Sequence, residues 1–214
     1  MKKQHSSFVN GLIWIGQTLL IFLVFYGIFF LLNTYVVDNC RVSGVSMQPT
    51  FENNERVMAN RHSPLKRGEV IVLNAPDEPG SVYIKRIIGL PGDTITEKDN
   101  QTYINGKKIN QDFLKPGSKL TDDGSDGTYG SKFTDTFDFS MSSLAKTSYY
   151  KKIYSKSQLQ TMEQTNKVPQ GTYFVMGDHR SVSKDSRYIG PIAKNKIIGV
   201  VKLRYWPFTR ISTF

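Results

Sequence analysis

The sequence predicts a mainly β protein preceded by a single N-terminal transmembrane helix. Three observations carry this. Residues 11–32 (GLIWIGQTLLIFLVFYGIFFLL) hold no charge. Beyond residue 40, apolar and β-branched runs of four to eight residues alternate with Gly, Pro, Asn and Asp. The 214-residue chain is 39% hydrophobic, enough for a packed core and against global disorder.

As a helix, residues 11–32 extend about 33 Å, close to the roughly 30 Å hydrocarbon layer of a bilayer. Gln17 and Thr18 are the strongly polar members, and Trp14, Tyr26 and Tyr35 suit the interfacial belts. Lys2 and Lys3 precede the stretch, and the next cation is Arg41. The positive-inside rule then expects a cytoplasmic N-terminus at 1–10, an anchor at 11–32 and the rest of the chain outside the cell membrane. A cleaved leader fits less well: its apolar part runs to about 7–15 residues, and NTYVVDNCR offers no A-x-A-like cut site. Without Lys2 and Lys3, residues 4–214 carry 26 basic and 18 acidic residues, and this net charge of +8 would draw such a domain toward anionic lipid. Nucleic acid, the other usual partner of a basic protein, is not expected across a membrane. The single cysteine, Cys40, excludes an intrachain disulfide and a cysteine cluster. The scattered His5, His62 and His179 argue against a metal centre.

Strands are expected at 56–60, 69–74, 81–90, 94–97, 102–104, 172–176 and 197–205. Pro91-Gly92-Asp93 closes one, Asn105-Gly106 reads as a two-residue hairpin turn, and Pro169-Gln170-Gly171 opens another. Residues 115–132 are rich in Gly, Ser, Asp and Lys and read as an exposed, mobile loop. Residues 140–165 are read as holding a short helix. The stretch 95–168 thus reads as an insertion between two motif-bearing parts.

Four segments can carry chemistry. In SGVSMQPT (43–50), Gly44 and Pro49 permit a sharp turn that presents the Ser46 hydroxyl, although a serine in a turn is commonly a cap or a surface group. In YIKRIIGLPGD (83–93), Lys85 shares a strand face with Tyr83 and Ile87, and Arg86 shares the other with Ile84 and Ile88. A serine nucleophile needs a base. Lysine, normally near pKa 10.4, becomes one when desolvation lowers it, whereas arginine does not deprotonate. That favours Lys85 over Arg86. RGEVIVL (67–73) reads as a buried strand entered through a glycine turn. MGDHRSVSKDSR (176–187) is a dense polar loop in which Asp178, Arg180, Asp185 and Arg187 can join a charge-assisted network or simply face solvent. The S-x-x-K spacing at Ser63, Ser143, Ser148 and Ser181 lacks the companion S-D-N and K-T-G elements and reads as chance.

Taken in order, the four segments after an apolar anchor resemble the bacterial type I signal peptidases. The resemblance implies an antiparallel β catalytic core at 33–94 and 169–214, with a variable β-rich insertion at 95–168. It implies a membrane-bound serine endopeptidase that removes signal peptides from exported preproteins after small residues, with partners limited to those preproteins and the lipid bilayer, and with no cofactor. By matching positions, Ser46 is expected as nucleophile and Lys85 as general base. Ser183 is expected to orient the lysine, Asp185 and Arg187 to support the site as an ion pair, and the Ser46 backbone N–H to hold the oxyanion. The chain departs from the family at Gly44, where some relatives have an oxyanion-binding serine, and at His179 and Ser181 in the polar loop. Met47 and the Trp206-Pro207-Phe208 segment are candidates for touching the lipid interface. A membrane-tethered β-domain that binds partners without activity, a degenerate peptidase, is the rival reading.

Overall fold

The computed structural model describes residues 2–114 and 135–214; the loop expected at 115–132 lies outside them. The chain divides into two compact units, residues 1–38 and 39–214.

The first unit is helix α1 (Lys2–Tyr35). Its stretch Val9–Leu31 has a mean hydropathy of 2.1, with none of it buried by protein. Among the described residues it is the one helix long and apolar enough to cross a membrane. It starts well before residue 11, because helical hydrogen bonding carries into the polar flank. The Thr18 hydroxyl donates to the Trp14 carbonyl one turn back, so the helix itself satisfies this polar group.

The second unit is built on antiparallel sheets. Its strands are β1 (Val37–Arg41), β2 (Arg56–Asn60), β3 (Val70–Asn74), β4 (Val82–Gly89), β5 (Ile95–Lys98), β6 (Gln101–Ile104), β7 (Lys107–Lys108), β8 (Phe139–Ser140), β9 (Thr172–Met176), β10 (Ile192–Ala193), β11 (Ile197–Trp206) and β12 (Ser212–Thr213). Its helices are α2 (Met141–Ala145), α3 (Ser148–Ile153), α4 (Lys156–Thr165) and α5 (Ser186–Ile189). The larger sheet runs β1-β2-β11-β3-β4-β9-β10, with β12 beside β11; the smaller runs β7-β6-β5-β8. Asn105 and Gly106, at φ 51° and 76°, make the tight turn between β6 and β7.

Alternation along β3 explains why the larger sheet is buried on both faces. Val70 and Val72 pack with Val42, Met47, Phe51 and Ile84. Ile71 and Leu73 point the other way, toward Ile87, Val175 and Ile189. A third cluster joins Ile88 and Phe174 of the larger sheet to Ile95, Phe139, Leu144, Tyr150 and Met162. The 140–165 stretch holds three short helices, each opened by a hydroxyl cap: Ser140, Thr147 and Ser155 accept from the backbone N–H groups of Ser143, Tyr150 and Gln158. Asp93 ties down the turn after β4, accepting from the Leu90 N–H, Arg67 and the Asn105 amide.

Candidate active site

Ser46 sits in the turn between β1 and β2. Gly44, at φ 83°, starts that turn, and the Asn53 side chain accepts from its N–H. Met47 and Phe51, both fully buried, pin the turn to the core. Met47 is therefore a packing residue rather than an interface contact, whereas Trp206 and Phe208 are exposed.

Lys85 comes from the middle of β4, opposite Ile71 of β3. Its Nζ lies 2.7 Å from Ser46 Oγ. The residue is 4% exposed. Burial penalises the ammonium and lowers the pKa from 10.5 to about 8, with the Asp185 carboxylate opposing part of the shift. An ammonium at this spot donates to Oγ; a neutral amine accepts the hydroxyl proton.

The next residue on β4 points to the other face and does a different job. Arg86 donates from Nε and Nη2 to the two carboxylate oxygens of Asp178, at 2.8 and 2.6 Å. It also donates to the Gly68 carbonyl at 2.7 Å, and Phe113 lies over its guanidinium, 4.1 Å from ring centre to charge. Thr50, four residues after Ser46, donates its hydroxyl to Asp178. This buried fork joins β4, the turn that carries Ser46 and the polar loop. Removing one partner of such a pair strands the other charge, so Asp178→Asn is expected to destabilise the full chain by about 3–5 kcal/mol. Denaturant unfolding in detergent measures this, and a loss below 1 kcal/mol would mean the pair is not holding the loop.

The polar loop splits its charges instead of forming one network. Asp185 and Arg187 form a buried two-point pair, with contacts of 2.8 Å from both Nε and Nη2. Burial alone would raise the Asp185 carboxyl, but Arg187 and the Gly177 N–H outweigh it and hold the pKa below the usual carboxylate range. Arg180 turns away, donating from Nε to the Gly177 carbonyl at 3.1 Å, with its Nη1 3.4 Å from the Thr102 hydroxyl on β6. Thr102 in turn donates to Glu97 at 2.6 Å. The Gly177 peptide is thus gripped at both ends, its N–H by Asp185 and its C=O by Arg180. Ser183 is buried and, among the described residues, its hydroxyl has no hydrogen-bond partner, so the expected bond to Lys85 is not formed in this structure. His179 is also buried; its main-chain N–H donates to the Ser46 carbonyl, and its Nδ1 lies 3.2 Å from the Val45 carbonyl.

Sequence reasoning missed Gly177. A Cβ at this position would overlap both the Ser183 side chain and the Ser46 carbonyl oxygen. The local sequence, a glycine after a strand, carries only the weak signal of a close backbone approach. Among the described residues no group of His, Cys, Asp or Glu is placed to hold a metal ion.

A hydroxyl paired with a dry amine, on a rigid antiparallel framework, is what a hydrolase needs to attack a carbonyl through serine. The profile of the family described as Signal peptidase, peptidase S26, matches residues 15–206. A signal peptidase I from Streptococcus pneumoniae (strain ATCC BAA-255 / R6) is 34% identical, over 91% of this chain and 94% of its own. Signal peptidase I V from Bacillus subtilis (strain 168) is 38% identical, over 79% and 85%. A crystal structure of a signal peptidase I from Enterococcus faecalis V583 aligns with a TM-score of 0.46 at 30% identity, over 64% of this chain and 97% of its own. The chain belongs to the signal peptidase family, peptidase S26, and is a serine endopeptidase of the hydrolase class.

Proposed function

We propose that this protein cuts N-terminal signal peptides from exported preproteins after small residues, Ala-x-Ala-like, with Ser46 as nucleophile and Lys85 as general base. The observation that carries the reading is the 2.7 Å approach of a buried Lys85 amine to the Ser46 hydroxyl. Neutral Lys85 takes the hydroxyl proton as Oγ attacks the scissile carbonyl carbon. The Ser46 N–H stabilises the resulting oxyanion. The lysine ammonium then gives its proton to the leaving nitrogen, the C–N bond breaks, and an acyl ester remains on Ser46. A water, losing its proton to the same amine, attacks the ester, and the proton returns to Oγ as the acid product departs.

Ser183 supplies a hydroxyl to steady Lys85 once the amine is at work. Asp185 and Arg187 hold the loop that carries it. Residues 33–94 and 169–214 form the catalytic part and 95–168 the insertion. Lys2 and Lys3 keep residues 1–10 in the cytoplasm, α1 crosses the cell membrane, and the catalytic part faces outward. Tethering to the bilayer that also holds the preproteins raises their effective concentration at the site.

Purified full chain in detergent, incubated with a preprotein bearing an Ala-x-Ala site, is expected to release the mature protein at that site, read as an intact mass. Ser46→Ala should lower the rate by at least about 10³-fold, in line with the loss of a catalytic nucleophile. A Ser46→Ala protein that still cuts would end the assignment.

A further inference from the structure

Beside the dyad lies a groove of about 580 Å3 that the chemistry above does not use. It is walled by Tyr149 and Ile153 of α3, by Tyr188 of α5 and by Pro76 and Asp77 of the β3–β4 turn. Its volume is in the range of ligand sites, roughly 300–1,000 Å3.

We propose that this groove binds the start of the mature chain, the residues of the preprotein that follow the cut. The proposal rests on the Ser46–Lys85 reading and adds a substrate site to it. Continuity with the dyad is the first argument. Ser183 lines the groove, and its hydroxyl crowds the same point beside Gly177 as the Ser46 carbonyl, so the groove wall reaches the nucleophile turn. Asp77, which also lines the groove, is one of the charges felt by the Lys85 amine. Tyr83 links the two: its ring centre lies 5.6 Å from the Lys85 amine, and its hydroxyl donates to Glu78, next to Asp77 of the groove wall, so the groove lies on the lysine side of the pair.

Chemistry supplies the second argument. The lysine that protonates the leaving nitrogen has to stand next to it. The segment beyond the cut begins at that nitrogen, so it leaves past Lys85.

The walls state what kind of segment fits. Tyr149 and Ile153 are each about half exposed, 52% and 50%, on one face of α3. The Tyr149 ring meets Tyr188 edge-on at 5.4 Å between centroids. Such a surface takes an apolar or aromatic side chain. Two hydroxyls of the lining, Ser181 and Ser183, have no hydrogen-bond partner among the described residues. Small rotations give an extended main chain a donor or acceptor at each. Lys184, paired with Asp77, and Lys152 mark the rim. The ligand class is an extended peptide with a free amino terminus and a bulky, apolar side chain shortly after it. Because α3 lies within 95–168, the insertion takes part in choosing substrates.

The test uses the full chain in detergent with Ser46→Ala, so that binding is read without turnover. The probe is a short fluorescein-labelled peptide with alanine first and phenylalanine third, standing for a mature start. A second labelled peptide ends at the cut and stands for the signal side. Tyr149→Ala and Ile153→Ala are each expected to weaken the first peptide by about tenfold in fluorescence anisotropy, the usual scale for removing an interface anchor. The second peptide should stay within twofold. Equal weakening of both peptides, or of neither, overturns the groove assignment. Cleavage by the Ser46-bearing protein is scored separately. A protein that cuts nothing yet binds the first peptide through Tyr149 loses the dyad and keeps the groove.

Discussion

Lys85→Met is expected to end turnover and, at pH 7, to leave the full chain at least as stable as the parent. Both outcomes have one cause, a cation placed where a hydrocarbon would be more comfortable. The drop from 10.5 to about 8 corresponds to about 3 kcal/mol, the cost of keeping this amine charged in the fold. In the unfolded chain the amine keeps its proton up to about 10.5; in the folded chain it loses it near 8. Between those values the unfolded state binds more protons, so stability rises with pH across that window. Below about 8 the full cost is present, and above about 10.5 it is gone. Methionine fills a similar space without charge. The melting temperature of Lys85→Met should exceed the parent's most at pH 7, and the gap should close toward pH 10. A gap that stays constant with pH would show that the amine is not desolvated in the fold.

With Lys85 proposed as the base, the same proton is expected to set the rate profile. At pH 7 about a tenth of a group with pKa 8 is neutral, and at pH 6 about a hundredth. kcat/KM of the parent is therefore expected to climb about tenfold per pH unit through that range and to level off above about 8. A profile that peaks near pH 5 would remove lysine as the base, whatever its distance from Ser46.

What the sequence made legible was local. The anchor shows as an uncharged run, and the β6–β7 turn as Asn105-Gly106, because hydropathy and positive φ are written in neighbouring residues. The preference for Lys85 over Arg86 as a partner for Ser46 was also available, since arginine cannot release its proton, and it is the Lys85 amine that lies 2.7 Å from the Ser46 hydroxyl. The fate of Arg86 was not, because its partner Asp178 is 92 positions away and only the pairing of β4 with β9 brings them together. The three helices at 140–165 left a readable trace in the Ser155 and Gln158 capping box, but their short apolar stripes gave little periodicity to find. The groove was invisible for a stronger reason. Its walls come from α3, α5 and the β3–β4 turn, and no single segment holds its pattern.

Gly177→Ala is expected to lower kcat by about 100-fold while KM stays near the parent value, the scale of an error of about 1 Å in placing catalytic groups. Gly177 has no positive φ, so the constraint is space alone. An added methyl would run into the Ser183 hydroxyl and the Ser46 carbonyl oxygen at once. The Ser183 hydroxyl can rotate away but its Cβ, nearly as close, cannot, and the Ser46 oxygen is main chain and moves only with the turn that carries it. That turn is held by the buried Met47 and Phe51 on one side, and by the His179 N–H on the other. The polar loop cannot easily yield either, since Asp185 and Arg180 grip the Gly177 peptide from both ends. The displacement therefore lands on the 2.7 Å approach between Ser46 and Lys85, the contact proposed to serve the chemistry rather than binding. Steady-state kinetics on a cleavable preprotein checks this, with thermal unfolding run alongside to establish that the variant is folded at the assay temperature. A folded Gly177→Ala protein with kcat within threefold of the parent would show that the turn absorbs the methyl elsewhere, and that the spacing of the pair does not depend on the glycine.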